Sequence, residues 1–201
     1  MLRLLRITYI RVAHPSSEAG GQSVRTPRDN GEVPGLAWGS VATPLGDVSV
    51  AGAATGVARI RFGPPPMPTD PAPAPVVATA LRQLAEYFTG RLRVFDLPLD
   101  WSQMAETRRR VLKVLAGSVG YGQTITYGAL AEAARVSGDG TMLPARTVGQ
   151  IMASNPFPLV VPCHRVVASD GLGGFSGGTG IEVKRWLLTF EGVLPPTLDW
   201  Q

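Results

Sequence analysis

The stretch that decides the architecture of this chain is Asn155-Pro156-Phe157-Pro158-Leu159-Val160-Val161-Pro162-Cys163-His164-Arg165-Val166. Its apolar run Phe157–Val161 predicts a segment that leaves the interior, and Pro162 stiffens the approach to a turn. That turn holds Cys163, the only cysteine of the chain, beside one of its two histidines. A thiol is a strong nucleophile as its thiolate, and a nearby imidazole or a fixed polar group lowers the thiol pKa toward that form. The pattern predicts a reactive cysteine, while residue type alone leaves inert packing open.

Helical patterns surround this turn. Downstream, Ile181–Glu191 has the spacing of an amphipathic helix that ends at Gly192. The predicted helices upstream are Glu106–Ala116, Tyr127–Arg135 and Pro144–Ser154. The last of these has Pro144 in its first turn, and the Gly-rich break Ser137–Gly140 precedes it. Two short helices around such a break predict a helix-turn-helix.

Short β-prone runs come earlier in the chain. The predicted strands are Trp38–Thr43, Val48–Ala51 and Val57–Phe62. Pro44-Leu45-Gly46-Asp47 predicts a hairpin turn between the first two. The proline-rich Gly63–Pro75 predicts an extended loop, and a helix follows in which Val76, Ala80, Leu84, Tyr87 and Phe88 fall at helical spacing, with Gly90 as its C-terminal cap. Phe95–Trp101 is expected to be a connector or a short strand.

These elements predict an α+β fold class. A small N-terminal domain of β-sheet and helix is followed by a mostly helical, winged-helix-like C-terminal domain with the helix-turn-helix. The expected boundaries are a flexible tail over residues 1–35, an N-terminal domain over 36–100, a C-terminal domain over 101–194 and a tail over 195–201. The first tail is expected because Ser16–Pro34 is rich in Gly, Ser, Pro and charge, and so cannot offset the entropy of ordering.

Composition narrows the function classes. No run approaches the roughly 18 apolar residues of a membrane helix, and arginines interrupt Met1–His14, so neither a membrane span nor a secretory signal is expected. A transit peptide is the alternative to a disordered tail there. A single cysteine favours a reducing compartment, here the cytoplasm, and one Cys with two His is too few for a structural zinc site. No metal or cofactor is predicted. The net charge of +4 permits a polyanionic partner.

Further motifs surround the cysteine turn in a fixed order. They are Tyr121-Gly122, Thr126-Tyr127-Gly128, Ala145-Arg146-Thr147-Val148-Gly149, Ser176-Gly177-Gly178, Lys184, Trp186-Leu187-Leu188 and Glu191-Gly192. Together with Pro162-Cys163-His164-Arg165-Val166 they resemble the O6-alkylguanine-DNA alkyltransferase family, over about residues 36–192 and most densely over 107–192. The resemblance implies direct-reversal DNA repair, in which the alkyl (methyl) group of O6-alkylguanine moves irreversibly to the protein's own cysteine in a single turnover.

The resemblance also implies a set of catalytic residues. Cys163 would accept the alkyl group, and His164 would act through a bound water as the base that yields the thiolate. Glu191 would bond the far ring nitrogen of His164, much as a carboxylate does in a Ser-His-Asp triad. Tyr127 would donate a proton toward the guanine as the alkyl group leaves. Asn155 would tie the recognition helix to the active-site turn.

A thiolate in a pocket cannot reach a stacked guanine, so the resemblance implies that the nucleotide is rotated out of the duplex. Backbone groups near Val166 and Ser176 would read the edge of this base. Phe175 would wall the pocket, and many relatives have Tyr there. Two insertions, near residues 137–143 and 179–181, depart from the family pattern.

For DNA contact, the resemblance implies that Arg146 fills the space left by the extruded base. Gly128 and Ser169 match positions that contact the DNA backbone, and Arg108 is a further candidate for such a contact. A helix-turn-helix by itself predicts the major groove, whereas the family places this helix in the minor groove. The expected partner is therefore double-stranded DNA that contains O6-alkylguanine, with O4-alkylthymine left open, bound by a monomer and without a membrane.

Two other classes compete with this interpretation. Alkyltransferase-like proteins bind the lesion without catalysis, but they lack the acceptor cysteine that Cys163 matches. A papain-like hydrolase needs a histidine distant in sequence, and only His14, in the predicted tail, is available.

Overall fold

The structure is a computed structural model that describes residues 36–66, 74–137, 143–178 and 180–196. The predicted tail over 1–35 lies outside the described residues, and with it His14. So do residues 138–142 of the first insertion, Thr179 of the second, and the end of the chain from residue 197.

The described chain begins with a three-stranded antiparallel sheet in the order β1-β2-β3. Its strands are β1 (Ala37–Thr43), β2 (Gly46–Ala53) and β3 (Gly56–Phe62). Thr43 pairs with Gly46, so the first turn consists of Pro44 and Leu45 alone and is shorter than predicted. Gly46 has a φ of 87°, a conformation that glycine adopts without strain. β2 therefore starts two residues before the predicted strand.

Helix α1 (Pro75–Phe88) packs against β1 and β2. A Cβ added at Gly39 would lie 2.7 Å from Leu81 Cδ1, and one at Gly52 would lie 3.2 Å from Val77 Cγ2. The two glycines therefore allow the helix to approach the sheet closely. The buried positions of α1 follow the predicted helical spacing and include Tyr87 at 0% exposure.

The C-terminal part is mostly helical, as predicted. Its helices are α2 (Glu106–Ser118), α3 (Tyr127–Ala133), α4 (Pro144–Ala153) and α5 (Ile181–Phe190). Helices α3 and α4 pack against each other as the predicted pair. The structure adds two strands, β4 (Ile125–Thr126) and β5 (Val166–Val167), which pair in parallel. Sequence analysis missed them because two residues carry no periodicity.

The α+β fold class is confirmed, and one hydrophobic core runs through both parts. The Ile60 N–H of β3 donates to the Pro156 carbonyl at 2.7 Å, which joins the sheet to the segment before Cys163. None of the helices in the described ranges is long and apolar enough to cross a membrane.

Candidate active site

Two tight turns position Cys163. Pro162 has φ −81° and ψ 67°, and the Cys163 N–H donates to the Val161 carbonyl at 2.8 Å, which is an inverse γ-turn. A single 3₁₀ turn, Cys163–Arg165, follows, and the Arg165 N–H donates to the Pro162 carbonyl at 2.9 Å. Pro162 and these two backbone hydrogen bonds fix the backbone conformation at Cys163.

Asn155 joins α4 to this turn. Its Nδ2 donates to the Val161 carbonyl at 2.8 Å, and its Oδ1 accepts the Phe157 N–H at 3.0 Å. The Asn155 side chain also lowers the pKa of the Cys163 thiol. Because α4 ends at Ala153, two residues earlier, the Asn155 side chain connects the end of this helix to the turn that holds Cys163.

Burial raises the pKa of the Cys163 thiol above its ordinary value. Hydrogen bonds from Asn155 and two backbone N–H groups, and the charge of Lys184, lower it but do not outweigh the burial. The expectation that a fixed polar group lowers this pKa is met by Asn155, but the His164 ring does not contribute and the net shift is upward. The His164 ring is directed at Glu191 instead, and Cys163 rests as a thiol.

His164 and Glu191 form a buried pair, with Nε2 and Oε1 2.9 Å apart. Burial by itself raises the pKa of Glu191, but bonds from His164 and Arg165 outweigh it and bring the pKa to about 2. The ionised carboxylate only accepts hydrogen bonds, so Nε2 of His164 carries the proton and Nδ1 carries the lone pair. Nδ1 is buried and has no hydrogen-bond partner among the described residues.

Burial lowers the pKa of His164 below its ordinary value, although the bond and the charge of Glu191 oppose this. The ring is therefore neutral at pH 7. A neutral imidazole whose free lone pair lies on Nδ1, next to a thiol in sequence, is a competent general base.

Two further side chains hold Glu191, and sequence analysis missed both. Arg165 donates to Oε2 from Nε and to Oε1 from Nη2, each at 2.9 Å, and from Nη1 to the Val119 carbonyl at 2.8 Å. Tyr87 of α1 donates its hydroxyl to Oε1 at 2.7 Å. In the sequence, Arg165 was identified only as part of a motif. Tyr87 was identified only as a core position of a predicted helix, 104 residues before Glu191.

Lys184 was also visible only as a motif residue. Its ammonium is fully buried and donates to the carbonyls of Val166 at 2.6 Å, of Gly174 at 3.2 Å, and of Leu172. Burial lowers the pKa of Lys184 to about 8. These bonds hold the loop that connects β5 to Phe175.

Tyr127 starts α3 directly after β4, so the β4–β5 pairing brings it beside the cysteine turn. Its hydroxyl donates to the Gly174 carbonyl at 3.2 Å. Burial and the nearby Cys163 both raise the pKa of Tyr127, so the hydroxyl keeps its proton at neutral pH.

A pocket of about 290 Å³ connects Cys163 with solvent. Its lining residues are Arg59, Ile60, Arg61, Phe62, Met152, Ala153, Asn155, Pro158, Cys163, Phe175, Ser176, Gly177 and Gly178. The Ser176 hydroxyl donates to the Ala153 carbonyl at 2.9 Å, and Phe175 meets Phe62 edge-on with 6.5 Å between ring centroids. Val166, a predicted pocket residue, does not line this pocket, and its carbonyl accepts a hydrogen bond from Lys184. A groove of about 490 Å³ beside the β1–β2 turn contains no nucleophile.

Two arginines at the pocket, Arg59 and Arg61, were not predicted as site residues. Both are exposed on β3 and line the pocket that holds the thiol. They alternate with buried Ile60, as the two faces of a strand require. The alternation of exposed and buried residues in β3 was visible in the sequence. It does not show that the exposed face of this strand reaches the pocket.

Among the predicted DNA contacts, Arg146, Gly128 and Ser169 are exposed. A Cβ added at Gly128 or at Gly149 would meet no atom within 4 Å, so packing within the chain does not require glycine at either position. Arg108 differs, because its guanidinium donates to the carbonyl of Ser154 at the end of α4. Partial burial and the charge of nearby Arg59 lower the pKa of Arg108.

Comparison with known proteins gives the family. Residues 106–193 match the family model described as 6-O-methylguanine DNA methyltransferase, DNA binding domain, and residues 36–101 match the ribonuclease-like domain of the same family. The chain is 39% identical over 155 residues to the DNA base-flipping protein of Thermus thermophilus, which covers 76% of this chain and 97% of that protein. It is 36% identical over 172 residues to the methylated-DNA–protein-cysteine methyltransferase of Rattus norvegicus, which covers 75% and 79%.

A solved structure agrees with this assignment. Mycobacterium tuberculosis OGT in complex with DNA is 35% identical, has a TM-score of 0.65, and covers 77% of this chain and 91% of that one. The chain therefore belongs to the 6-O-methylguanine DNA methyltransferase family.

Proposed function

We propose that this protein repairs DNA by direct reversal, with Cys163 accepting the alkyl group of O6-alkylguanine irreversibly. One observation carries the proposal. The only thiol of the chain lies at a pocket open to solvent, and the next residue is a buried neutral imidazole whose Nε2 is held by an ionised carboxylate. This arrangement suits a nucleophile that is activated only when substrate is bound.

In the proposed reaction, the thiol proton of Cys163 passes through a bound water to Nδ1 of His164. The sulfur then attacks the alkyl carbon, so the S–C bond forms while the bond from carbon to O6 breaks and its electron pair stays with the guanine. Tyr127 gives its hydroxyl proton to the guanine, and the proton held by His164 returns through solvent to Tyr127. The net change is thiol plus O6-alkylguanine to thioether plus guanine. Because a thioether is stable, each molecule acts once.

Extrusion of the nucleotide would make this attack possible, at a cost of roughly a few kcal/mol for unstacking. We propose that α4 enters the minor groove, that Arg146 fills the vacated space, and that Gly128 and Ser169 contact the backbone. The open surface above Gly128 and Gly149 supports a close approach of DNA. Phe175 and Ser176, which line the pocket, would surround the extruded base.

We also propose that residues 36–100 and 101–194 act as two domains, the second carrying the chemistry. The cytoplasm is the proposed location, because a reducing compartment keeps Cys163 as a free thiol.

A second candidate function is lesion binding without transfer. The similarity to the Thermus thermophilus DNA base-flipping protein favours it. Cys163, with its base and carboxylate, favours transfer instead.

The test is a duplex oligonucleotide with one O6-methylguanine, incubated with increasing amounts of protein. Chromatography of the digested DNA should show one methyl group lost for each protein molecule. The Cys163→Ala variant should bind the same duplex and remove none. Binding without any loss of methyl by the unaltered protein would establish the lesion-binding function instead.

A further inference from the structure

We propose that Tyr87, from the N-terminal helix α1, is a positioning residue for the reaction at Cys163, because its hydroxyl holds Glu191 as a hydrogen-bond acceptor for His164. This inference rests on the proposed function. It assigns to the N-terminal part a direct link to the catalytic network.

The contact is short and shielded from water. The Tyr87 hydroxyl and Oε1 of Glu191 are 2.7 Å apart, and the two residues are 0% and 5% exposed. Burial, followed by the charge and the bond of Glu191, raises the pKa of Tyr87 far above its ordinary range. The hydroxyl is therefore protonated at every working pH, and its proton is directed at the carboxylate.

The carboxylate of Glu191 is fully engaged. Oε1 accepts hydrogen bonds from the hydroxyl of Tyr87, Nε2 of His164 and Nη2 of Arg165. Oε2 accepts hydrogen bonds from Nε of Arg165 and, at 3.4 Å, from the Gly122 N–H. A carboxylate oxygen with several donors has less electron density for each of them. Tyr87 thus competes with His164 for Oε1 and limits how strongly Glu191 attracts the imidazole proton.

The charged groups that act on His164 are Glu191, Arg165 and Lys184, with the Cys163 thiol as its sequence neighbour. Removing the Tyr87 donor leaves more negative charge on Oε1, which stabilises the protonated form of His164. The His164 pKa should then rise, and the carboxylate should lose one of the bonds that fix its orientation.

The surroundings of Tyr87 supply a mild variant and a matched control. Its ring packs against Phe88, Phe95, Tyr121 and Phe190 at centroid distances of 5.1, 5.4, 6.2 and 5.6 Å. The Tyr87→Phe variant keeps these contacts and loses only the hydroxyl. The Tyr121→Phe variant loses a hydroxyl from the same cluster, but that hydroxyl bonds the Phe190 carbonyl at 3.1 Å and not Glu191.

The first experiment measures single-turnover methyl transfer against pH in the full chain. Tyr87→Phe should lower the plateau rate about threefold to tenfold and move the acidic limb of the profile upward by about one pH unit. Tyr121→Phe should leave the limb in place. An unmoved limb in Tyr87→Phe, or an equal movement in both variants, would overturn the proposal, since a purely structural role does not shift a titration.

The second experiment does not depend on methyl transfer. The chain has two histidines, so ¹⁵N NMR of free protein in a His14→Gln background reports on His164 alone. The unaltered protein should show the proton on Nε2, and Tyr87→Phe should titrate at higher pH. If that variant does not fold, 3-fluorotyrosine at position 87 keeps the ring and donates more strongly, so it should move the titration of His164 to lower pH. No movement, or one to higher pH, would overturn the proposal even if methyl transfer proceeds normally.

Discussion

The Nζ of Lys184 lies 2.6 Å from the carbonyl oxygen of Val166, in a part of the protein that water does not reach. The same ammonium bonds the carbonyls of Leu172 and Gly174, so one side chain of α5 fixes both ends of the loop that leads to Phe175. Its positive charge also lowers the pKa of Cys163. A single lysine therefore links the shape of the pocket to the reactivity of the thiol.

The first prediction concerns this lysine. Replacing Lys184 with Leu removes the nearby positive charge, so the pKa of Cys163 should rise further. Because Cys163 is the only cysteine, the rate of its alkylation by iodoacetamide against pH gives the thiol pKa directly. A rise of about one unit slows alkylation about tenfold at pH 7, where the Lys184 ammonium is still charged. Lys113, the other lysine of the chain, is the control. It is exposed, and Lys113→Leu should react like the unaltered protein; coincident profiles for both variants would contradict the prediction.

The second prediction separates stability from DNA binding. Gly149 lies inside α4 with open space above it, so Gly149→Ala should stabilise the protein by about 0.5–1 kcal/mol, the usual difference in a helix interior. The same methyl group occupies surface that DNA would approach, so affinity for duplex DNA should fall, and Gly149→Leu should lower it more. Thermal unfolding and fluorescence anisotropy measure the two effects.

Gly56→Ala is the comparison for this experiment, because Gly56 has a φ of 139° and its Cβ would lie 2.6 Å from the Pro98 carbonyl oxygen. It should destabilise the protein and leave DNA affinity unaltered. Undiminished DNA affinity in Gly149→Leu would show that this face of α4 does not meet DNA.

The third prediction concerns Arg61, which β3 places at the pocket. If Arg61 contacts a DNA phosphate, Arg61→Ala should reduce the slope of log affinity against log salt concentration by about one. Reaction with free O6-methylguanine base should stay unchanged, since the base has no phosphate. Arg82→Ala on α1 is the control, because Arg82 pairs with Glu86 at 2.9 Å and does not line the pocket. An identical salt slope for Arg61→Ala and the unaltered protein would remove Arg61 from the DNA interface.

The fourth prediction is the effect of acid on stability. Folding lowers the pKa of Glu191 from 4.5 to about 2, so its contribution is complete above about pH 4.5 and is lost as the pH falls toward 2. This shift corresponds to about 3 kcal/mol. Folding also lowers the pKa of His164. Below about pH 6.5 this histidine gains a proton in the unfolded chain but stays neutral in the folded protein, so the free energy of unfolding decreases as the pH falls.

Both groups act in the same direction. The free energy of unfolding, measured by urea titration, should be level from about pH 8 to 6.5 and should then decrease steadily toward pH 3. A protein as stable at pH 4 as at pH 7 would show that the buried pair does not contribute as described.

Much of the fold could be predicted from the sequence because its elements are long enough to show a period. The helix over Pro144–Ser154 and the strand over Val57–Phe62 lie within about one residue of α4 and β3. The strands β4 and β5 could not be predicted, because their pairing depends on the turn that brings Val166 beside Ile125. The domain boundaries and the roles of the individual site residues remain predictions.

In the site as well, residues of the motifs could be predicted, whereas effects of packing between distant parts of the chain could not. The motif and the family resemblance predicted a site made of Cys163, His164 and Glu191, and the structure places His164 beside Glu191. The motif did not give the pKa of the thiol, because burial depends on packing from the whole chain. It did not reveal Tyr87, because the bond from its hydroxyl to Glu191 joins residues 104 positions apart in the sequence.

The central claim is tested most directly by the mass of one peptide. After incubation with a duplex that contains O6-methylguanine, trypsin should release Thr147–Arg165, which includes Cys163. This peptide is expected to be heavier by one CH₂ group, and fragmentation should place the added methyl group on the sulfur of Cys163. An unmodified peptide, while the DNA has lost its methyl group or has kept it, would contradict the proposed transfer to Cys163.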